Sequence, residues 1–437
     1  MVKTIYMVAS AVIITALIVG GVAYYLLRPA PSANVVEIYH WWTSGGEADA
    51  INALVKYFNS PTQYPNVTVI QSPVAGGAGY VFKAVIKPLV LAGEAPDSFQ
   101  LHAGYEGQPY YDGGYLDPIT SLYTAQEWEN VFPKVVLDMV KFGNDYYAVP
   151  LDIHRANVVW YNKAILTANN IDVSKLTTWT AFFSACDNLT KAGVTHPISL
   201  GDSGKWAASH VLEQMIAGEG ISFYQDYVNG KVTNASDPKL LDALTKFSKY
   251  LGYVNTDHAS LTWDQATARV ITGDAAFNVM GDWANGEFLK ANKIYGTDYG
   301  TFVVPGTSGY YGLVVDCFEH PKGVKHPDNS LNWLTVVGSK AGQDAFNPLK
   351  GSISPRNDSD TTKYGPYQRL SAIPDFKAAI HMYPSVVHGS GAPESFTTKL
   401  DDIMSAFVTN KDVNAAATAL TNAIKASSAD YTKVWSL

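Results

Sequence analysis

The spacing of apolar and polar positions changes several times along the chain. Residues 4–27 run for 24 positions without a charge between Lys3 and Arg28, and Pro29-Ala30-Pro31 then breaks any helix. At about 1.5 Å per residue such a run reaches about 36 Å, enough to cross a hydrocarbon core roughly 30 Å thick. A cleaved signal peptide is the rival reading, but its apolar stretch spans only about 7 to 15 residues. We therefore expect residues 1–33 to form a retained anchor helix and its linker. The flanking charges push only weakly toward a cytoplasmic N-terminus, which would place the rest of the chain on the outer face of the membrane.

Beyond the linker the pattern alternates between two periods. Positions 34–40 and 66–73 are rich in β-branched and aromatic residues and predict strands, and 97–102 predicts a short third strand. Between them, 47–59 and 80–92 carry apolar residues at helical spacing. Strand and helix in alternation predict a layered α/β lobe with a mostly parallel sheet. Residues 146–161 then form one extended apolar segment, followed by helical patterns at 178–191, 207–217, 238–251 and 264–272. Strands are expected at 275–280 and 310–318, and helices at 393–407 and 413–425. A second α/β lobe is expected to begin near 150.

Size supports two lobes, because a chain of 437 residues exceeds the ~300 at which single cores usually stop growing. With 39 acidic and 31 basic side chains the net charge is −8; setting aside residues 1–33, which hold two bases and no acids, leaves 39 against 29. No run of Lys and Arg could track a phosphate backbone, so nucleic acid is excluded as the expected partner. The cysteines are Cys186 and Cys317 alone. Neither follows the apolar run, so lipid attachment there is unavailable. Their assignment to different lobes argues against a disulfide, and two isolated cysteines lack metal-ligand spacing. No cofactor and no metal is expected. Sequons at Asn66, Asn188, Asn234 and Asn357 fit an exported glycoprotein.

Three segments could carry chemistry. His40-Trp41-Trp42-Thr43-Ser44-Gly45-Gly46-Glu47 leaves the first strand and enters a helix, where open α/β sheets place ligand loops. Tryptophan faces pack on flat C–H surfaces such as sugar rings. Two adjacent residues leaving a strand point opposite ways, so one tryptophan is expected at a ligand and one in the core, with Trp42 the preferred ligand contact. In 97–102, Gln100 and His102 share a strand face and could bond hydroxyl groups. In 276–287 a strand, a Gly turn and a helix start place Asp282 near a helix N-terminus, where a simple capping role also explains it. Two Gly-containing polar loops, 350–356 and 387–391, are unspecific on their own.

In their common order, WWTSGGE, GGAG, PDSFQLH, VMGDWANGE and KGSISPR make the chain resemble the extracellular solute-binding proteins of ABC sugar importers, the glucose and related monosaccharide binders in particular. The resemblance covers about residues 35–437. It implies a two-lobe, periplasmic-binding-protein-like fold of type II, with a hinge and a cleft that holds a monosaccharide, glucose first, for a membrane permease. The implied lobes are 34–149 with about 302–346, and 150–301 with about 347–437. Motif matching carries over Trp41 and Trp42 as the aromatic pair, Glu47 as the first-loop carboxylate, and Lys87 as a hydroxyl-binding lysine. It likewise implies binding roles for Gln100, His102, Trp206, Asn278, Asp282, Lys350 and His388. Two departures stand out: the lipobox cysteine of many bacterial relatives is replaced by the apolar run, as in archaeal-style tethered forms, and Ser354-Pro355-Arg356 stands where relatives usually have Pro-Val-Arg.

Two readings from other classes compete. A membrane-anchored glycoside hydrolase would use Glu47 and Asp282 as paired carboxylates, but a hinge holds catalytic geometry poorly. A structural or adhesion glycoprotein accounts for the apolar run and the sequons and leaves the ordered motifs unexplained. The expectation is therefore a binding protein without enzymatic activity.

Overall fold

Strand β1 (Val35–His40) leads into helix α1 (Gly45–Phe58), β2 (Thr68–Pro73) into α2 (Tyr80–Leu91), and β3 (Ser98–His102) completes the alternation read from the sequence. In this computed structural model residues 34–437 are described, so the anchor expected at 4–27 lies outside the described residues. Among the described residues no helix is long and apolar enough to cross a membrane. Helix α1 forms because Ala50, Ile51, Leu54 and Phe58 make one buried stripe, with Glu47 in its first turn and Lys56 in its last, as the helix dipole favours.

The chain continues through β4 (Ala148–Pro150), β5 (His154–Arg155) and β6 (Val158–Asn162) to helices α3 (Trp179–Lys191), α4 (Trp206–Gly218), α5 (Pro238–Tyr250) and α6 (Trp263–Thr272). Strand β7 (Phe277–Val279), helix α7 (Ala284–Lys290) and strands β8 (Tyr299–Val303), β9 (Tyr310–Val314) and β10 (Asp316–Glu319) follow. Helices α8 (Pro327–Gly338) and α9 (Lys340–Lys350), strand β11 (His381–Pro384), and helices α10 (Glu394–Asn410) and α11 (Val413–Ala426) end the main elements.

Three sheets organise these pieces. The first has the order β2-β1-β3-β10-β4, with β1 parallel to both neighbours and β10 antiparallel to β3 and β4. The second is β8-β6-β7, antiparallel throughout. The third, β11-β9-β5, lies on the path between them. The segment 146–161, read as one extended stretch, is thus shared among these three sheets and, at Tyr146, a two-stranded ribbon with 141–142, and the strand expected at 310–318 is two strands separated by Val315. Leu313 and Val314 pair with Arg155 and His154, while Ile153 exchanges both backbone hydrogen bonds with Ile353. Three crossings between the two main sheets therefore lie side by side as a hinge. This is a two-lobe α/β architecture, as expected from the sequence.

Helices α8 and α9 were not anticipated; α9 packs along α1 and carries Lys350 at its last residue. Cys186 on α3 and Cys317 on β10 are both free and buried.

Candidate functional site

Where the hinge strands meet the first sheet, side chains from both halves of the chain surround a small cavity. Trp41, Glu47, His102, Asp316 and Lys350 contribute from the loop after β1 and from α1, β3, β10 and α9. His154, Trp206, Trp263, Trp283 and His388 contribute from β5, α4, α6 and the loops that follow β7 and β11. The cavity is narrow, with room for about one water molecule between its walls.

The aromatic wall is continuous. The Trp283 ring lies 5.0 Å from His388, 5.4 Å from His154 and 6.1 Å from Trp206. On the opposite side Trp41 lies 4.8 Å from His102. The GGAG loop presses on this wall: Gly77 has φ +62°, and a Cβ there would stand 2.9 Å from Trp263 and 3.1 Å from Trp206. Only glycine meets both conditions.

The floor is ionic and dry. Lys350 Nζ donates to Glu47 Oε1 at 3.0 Å, with the two side chains 2% and 8% exposed. Burial would lower the Lys350 pKa, but Glu47, Asp316 and Asp152 together hold it above its ordinary value. His154 donates to Asp282, and its Nε2 lies 3.3 Å from Asp152 and 3.7 Å from Asp316. Burial opposes its charge, yet Asp152, with Asp282, raises its pKa to about 9 against the neighbouring Lys350. Asp316 is pushed the other way, up to about 7, by burial and by Asp152, despite His102, His154 and Lys350. Asp152 Oδ2 and His154 Nε2 have no hydrogen-bond partner beyond their 3.3 Å contact with each other, and His388 Nε2 is buried with no hydrogen-bond partner. Polar atoms so placed beside aromatic faces are what a polyhydroxylated ring can satisfy.

Of the eleven residues proposed from the sequence, Trp41, Glu47, His102, Trp206, Lys350 and His388 line the cavity. The other five do not. Trp42 fills the core against Phe318 and Phe346, at 5.9 and 4.8 Å, so the preference between the two tryptophans is reversed. Gln100 is fully buried behind the wall, accepting from the Trp41 N–H at 3.1 Å and donating to Asp316 at 3.0 Å. Asn278 is held by the Ser199 carbonyl and the Thr267 hydroxyl. Asp282 is fully buried and engaged by His154, which also removes it as half of a hydrolytic pair with Glu47. Lys87 pairs with Glu394 at 2.6 Å on a neighbouring open groove. His154, Trp263, Trp283 and Asp316 were missed. A lone acid or histidine inside an apolar strand, as in Leu151-Asp152-Ile153-His154 and Val315-Asp316-Cys317-Phe318, was the available signal.

Asp316 gives a pH signature. A hydroxyl donating to its carboxylate favours the ionised form, so affinity for a hydroxyl-bearing ligand in this cavity is expected to fall by about tenfold between pH 7.5 and 5.5. Fluorescence titrations at each pH measure this, and Asp316→Asn should flatten the profile; a flat profile in the unaltered protein would remove Asp316 from the contact. Its effect on folding has the opposite sign. Because the folded pKa is raised, that contribution is full below about 3.9 and is lost as pH rises through about 7.

The model of the bacterial extracellular solute-binding proteins matches residues 44–344. An uncharacterised ABC transporter extracellular-binding protein of Pyrococcus horikoshii is 43% identical over 410 residues, which covers 93% of this chain and 91% of that one. The glucose-binding protein of Saccharolobus solfataricus is 24% identical over 74% of this chain and 61% of its own. Among solved structures, the bacterial solute receptor AcbH, which has an exclusive preference for β-D-galactopyranose, aligns with a TM-score of 0.78 at 17% identity, covering 91% of this chain and all of that one.

Proposed function

The chain belongs to the bacterial extracellular solute-binding protein family, and on that premise we propose that it captures a monosaccharide, glucose first among candidates, between its two lobes. As the extracellular sugar-binding component of an ABC transporter, it delivers its ligand to a membrane permease. Such components are generally non-enzymatic. The observation that carries the proposal is one small cavity in which four tryptophans face the Glu47–Lys350 and His154–Asp316 groups, with Asp152 behind His154. Aromatic faces suit the C–H faces of one pyranose, and the charged groups suit its rim, where each hydrogen bond to a charged group contributes about 1.5 to 3 kcal/mol. The glucose-binding relative supports glucose. We place the lobe boundaries at the crossings, which moves the expected cuts near 302 and 347 to 304–315 and about 351, because β8 belongs to the second sheet and α9 packs on α1.

Closure follows from the same geometry. A ligand that bonds both walls prefers the closed form, shifts the hinge population toward it, and so reports occupancy to the permease. The membrane anchor at 4–27 remains part of this proposal. So does glycosylation, for which the exposure of Asn66, Asn188, Asn234 and Asn357 is favourable.

Tryptophan fluorescence of the full-length protein, titrated with glucose, galactose, mannose, xylose and a disaccharide, tests the proposal. Saturable quenching or enhancement with one equivalent of a monosaccharide is expected. A response to none of them would return the chain to the structural or adhesion reading, and release of reducing sugar from an oligosaccharide would return it to the hydrolase.

A further inference from the structure

A second cluster lies next to the sugar cavity and shares His388 with it, so that sugar and a ligand of this cluster would compete for the Nε2 of that ring. His210 and Glu213 stand three residues apart on one face of α4. His388 reaches them from the turn after β11, and one donor atom from each of the three lies within 4.8 Å of the others. All three residues are buried, at 0, 1 and 2% exposure.

We propose that His210, Glu213 and His388 form a binding site for one divalent transition-metal ion, of the zinc or cobalt type. The protonation pattern leads there. The Ser385 hydroxyl donates to Glu213 Oε2 at 2.7 Å, so it accepts from His388 Nδ1 at 2.8 Å. The proton of His388 is then on Nδ1, and Nε2 presents a lone pair with no partner. Neither ring nitrogen of His210 has a hydrogen bond of normal geometry, although the Ala156 carbonyl lies near enough to hold a proton on one of them. The other nitrogen is a second lone pair.

Glu213 supplies the charge. Its carboxylate accepts from the Tyr224 hydroxyl at 2.7 Å, from Ser385, and from the Val386 N–H at 2.5 Å, all neutral donors. Among the described residues no Lys or Arg pairs with it, so it is a buried acid without a counter-charge. Glu213 is already satisfied by neutral donors, so a cation would add the missing counter-charge and a partner for the free imidazole nitrogens. Two imidazoles and a carboxylate suit zinc or cobalt better than magnesium or calcium. Ligands of tetrahedral zinc stand about 3.4 Å apart given bonds of about 2.0 to 2.1 Å, so the three donor atoms, now within 4.8 Å of one another, draw together when the ion binds. Ser385 and Tyr224 then hold His388 and Glu213 in orientation, as outer-shell partners do.

The test uses the untagged, full-length protein, stripped with a chelator, freed of it and given no sugar. Cobalt(II) titration is expected to produce a visible absorption band that saturates at one equivalent, is displaced by zinc, and is unmoved by excess magnesium. His210→Ala and Glu213→Gln should each weaken cobalt binding at least about tenfold. If either variant fails to fold, the unaltered protein still decides: zinc must raise its unfolding temperature, since a ligand bound only by the folded state stabilises it. No retained cobalt, or full affinity in both variants, would overturn the proposal; a protein that bound cobalt but no sugar would leave it standing.

Discussion

Replacing Gly46 by alanine is expected to weaken sugar binding at least about tenfold while leaving the fold as stable as before. Gly46 sits in the first turn of α1, which follows β1 of the first sheet. Facing it is Gly286 on α7, and α7 is fixed to the second sheet by Phe288, whose ring stacks on Tyr299 and Trp160 at 4.1 and 5.3 Å. A Cβ at Gly46 would stand 2.6 Å from the Gly286 carbonyl carbon, backbone against backbone. Alanine costs the helix nothing locally. The clash exists only when the lobes are together, where the Gly46 N–H also donates to Glu287 at 3.0 Å and Lys290 pairs with Asp49 at 2.5 Å. The substitution therefore holds the lobes apart without unfolding either. Titration with sugar and a thermal melt separate the two effects. Unchanged affinity would show that α1 and α7 do not meet in the liganded form, and a lower melting temperature would show that their contact belongs to the fold itself.

Local pattern carried the first lobe well. Alternation of period 2 with period 3.6 placed β1, α1, β2, α2 and β3 to within two residues, because each has one clear buried face or stripe. The same reading could say that 146–161 and 310–318 are extended, but not which partners they take. Strand partners are chosen by tertiary pairing, and here that choice divides each segment between sheets and creates the hinge. The site followed the same logic. Trp41, His102 and Lys350 stand at the ends of elements, where a motif and a turn coincide. Asp316 and His154 sit within strands of different sheets and become neighbours only after the chain has crossed twice. Gln100 shows the limit of face-sharing arguments: β3 is central, both of its faces are covered, and the amide serves the protein instead of the ligand.

Removing the cation at Lys350 should be the most damaging single change in the floor. Lys350→Met keeps most of the side-chain volume and leaves Glu47, Asp316 and Asp152 without the charge that faces all three. Breaking a buried ion pair from one side costs about 3 to 5 kcal/mol, since the abandoned charge stays desolvated. That is a large share of a typical stability of about 5 to 15 kcal/mol. His154 remains as a cation, but it is already committed to Asp282 and Asp152. The orphaned carboxylates would hold protons more tightly in the folded variant than in the unfolded chain. The variant should therefore be most stable at low pH and lose stability as pH rises through about 7, where Asp316 already titrates in the parent. Pairing the change with Glu47→Gln should restore part of the loss, because it removes the carboxylate that Lys350 touches directly. Denaturant melts of parent, single and double variants from pH 5 to 8 make the comparison. If Lys350→Met matched the parent at every pH, the lysine would not be the counter-charge of this floor; if it bound sugar with parental affinity as well, the floor would not be the rim contact.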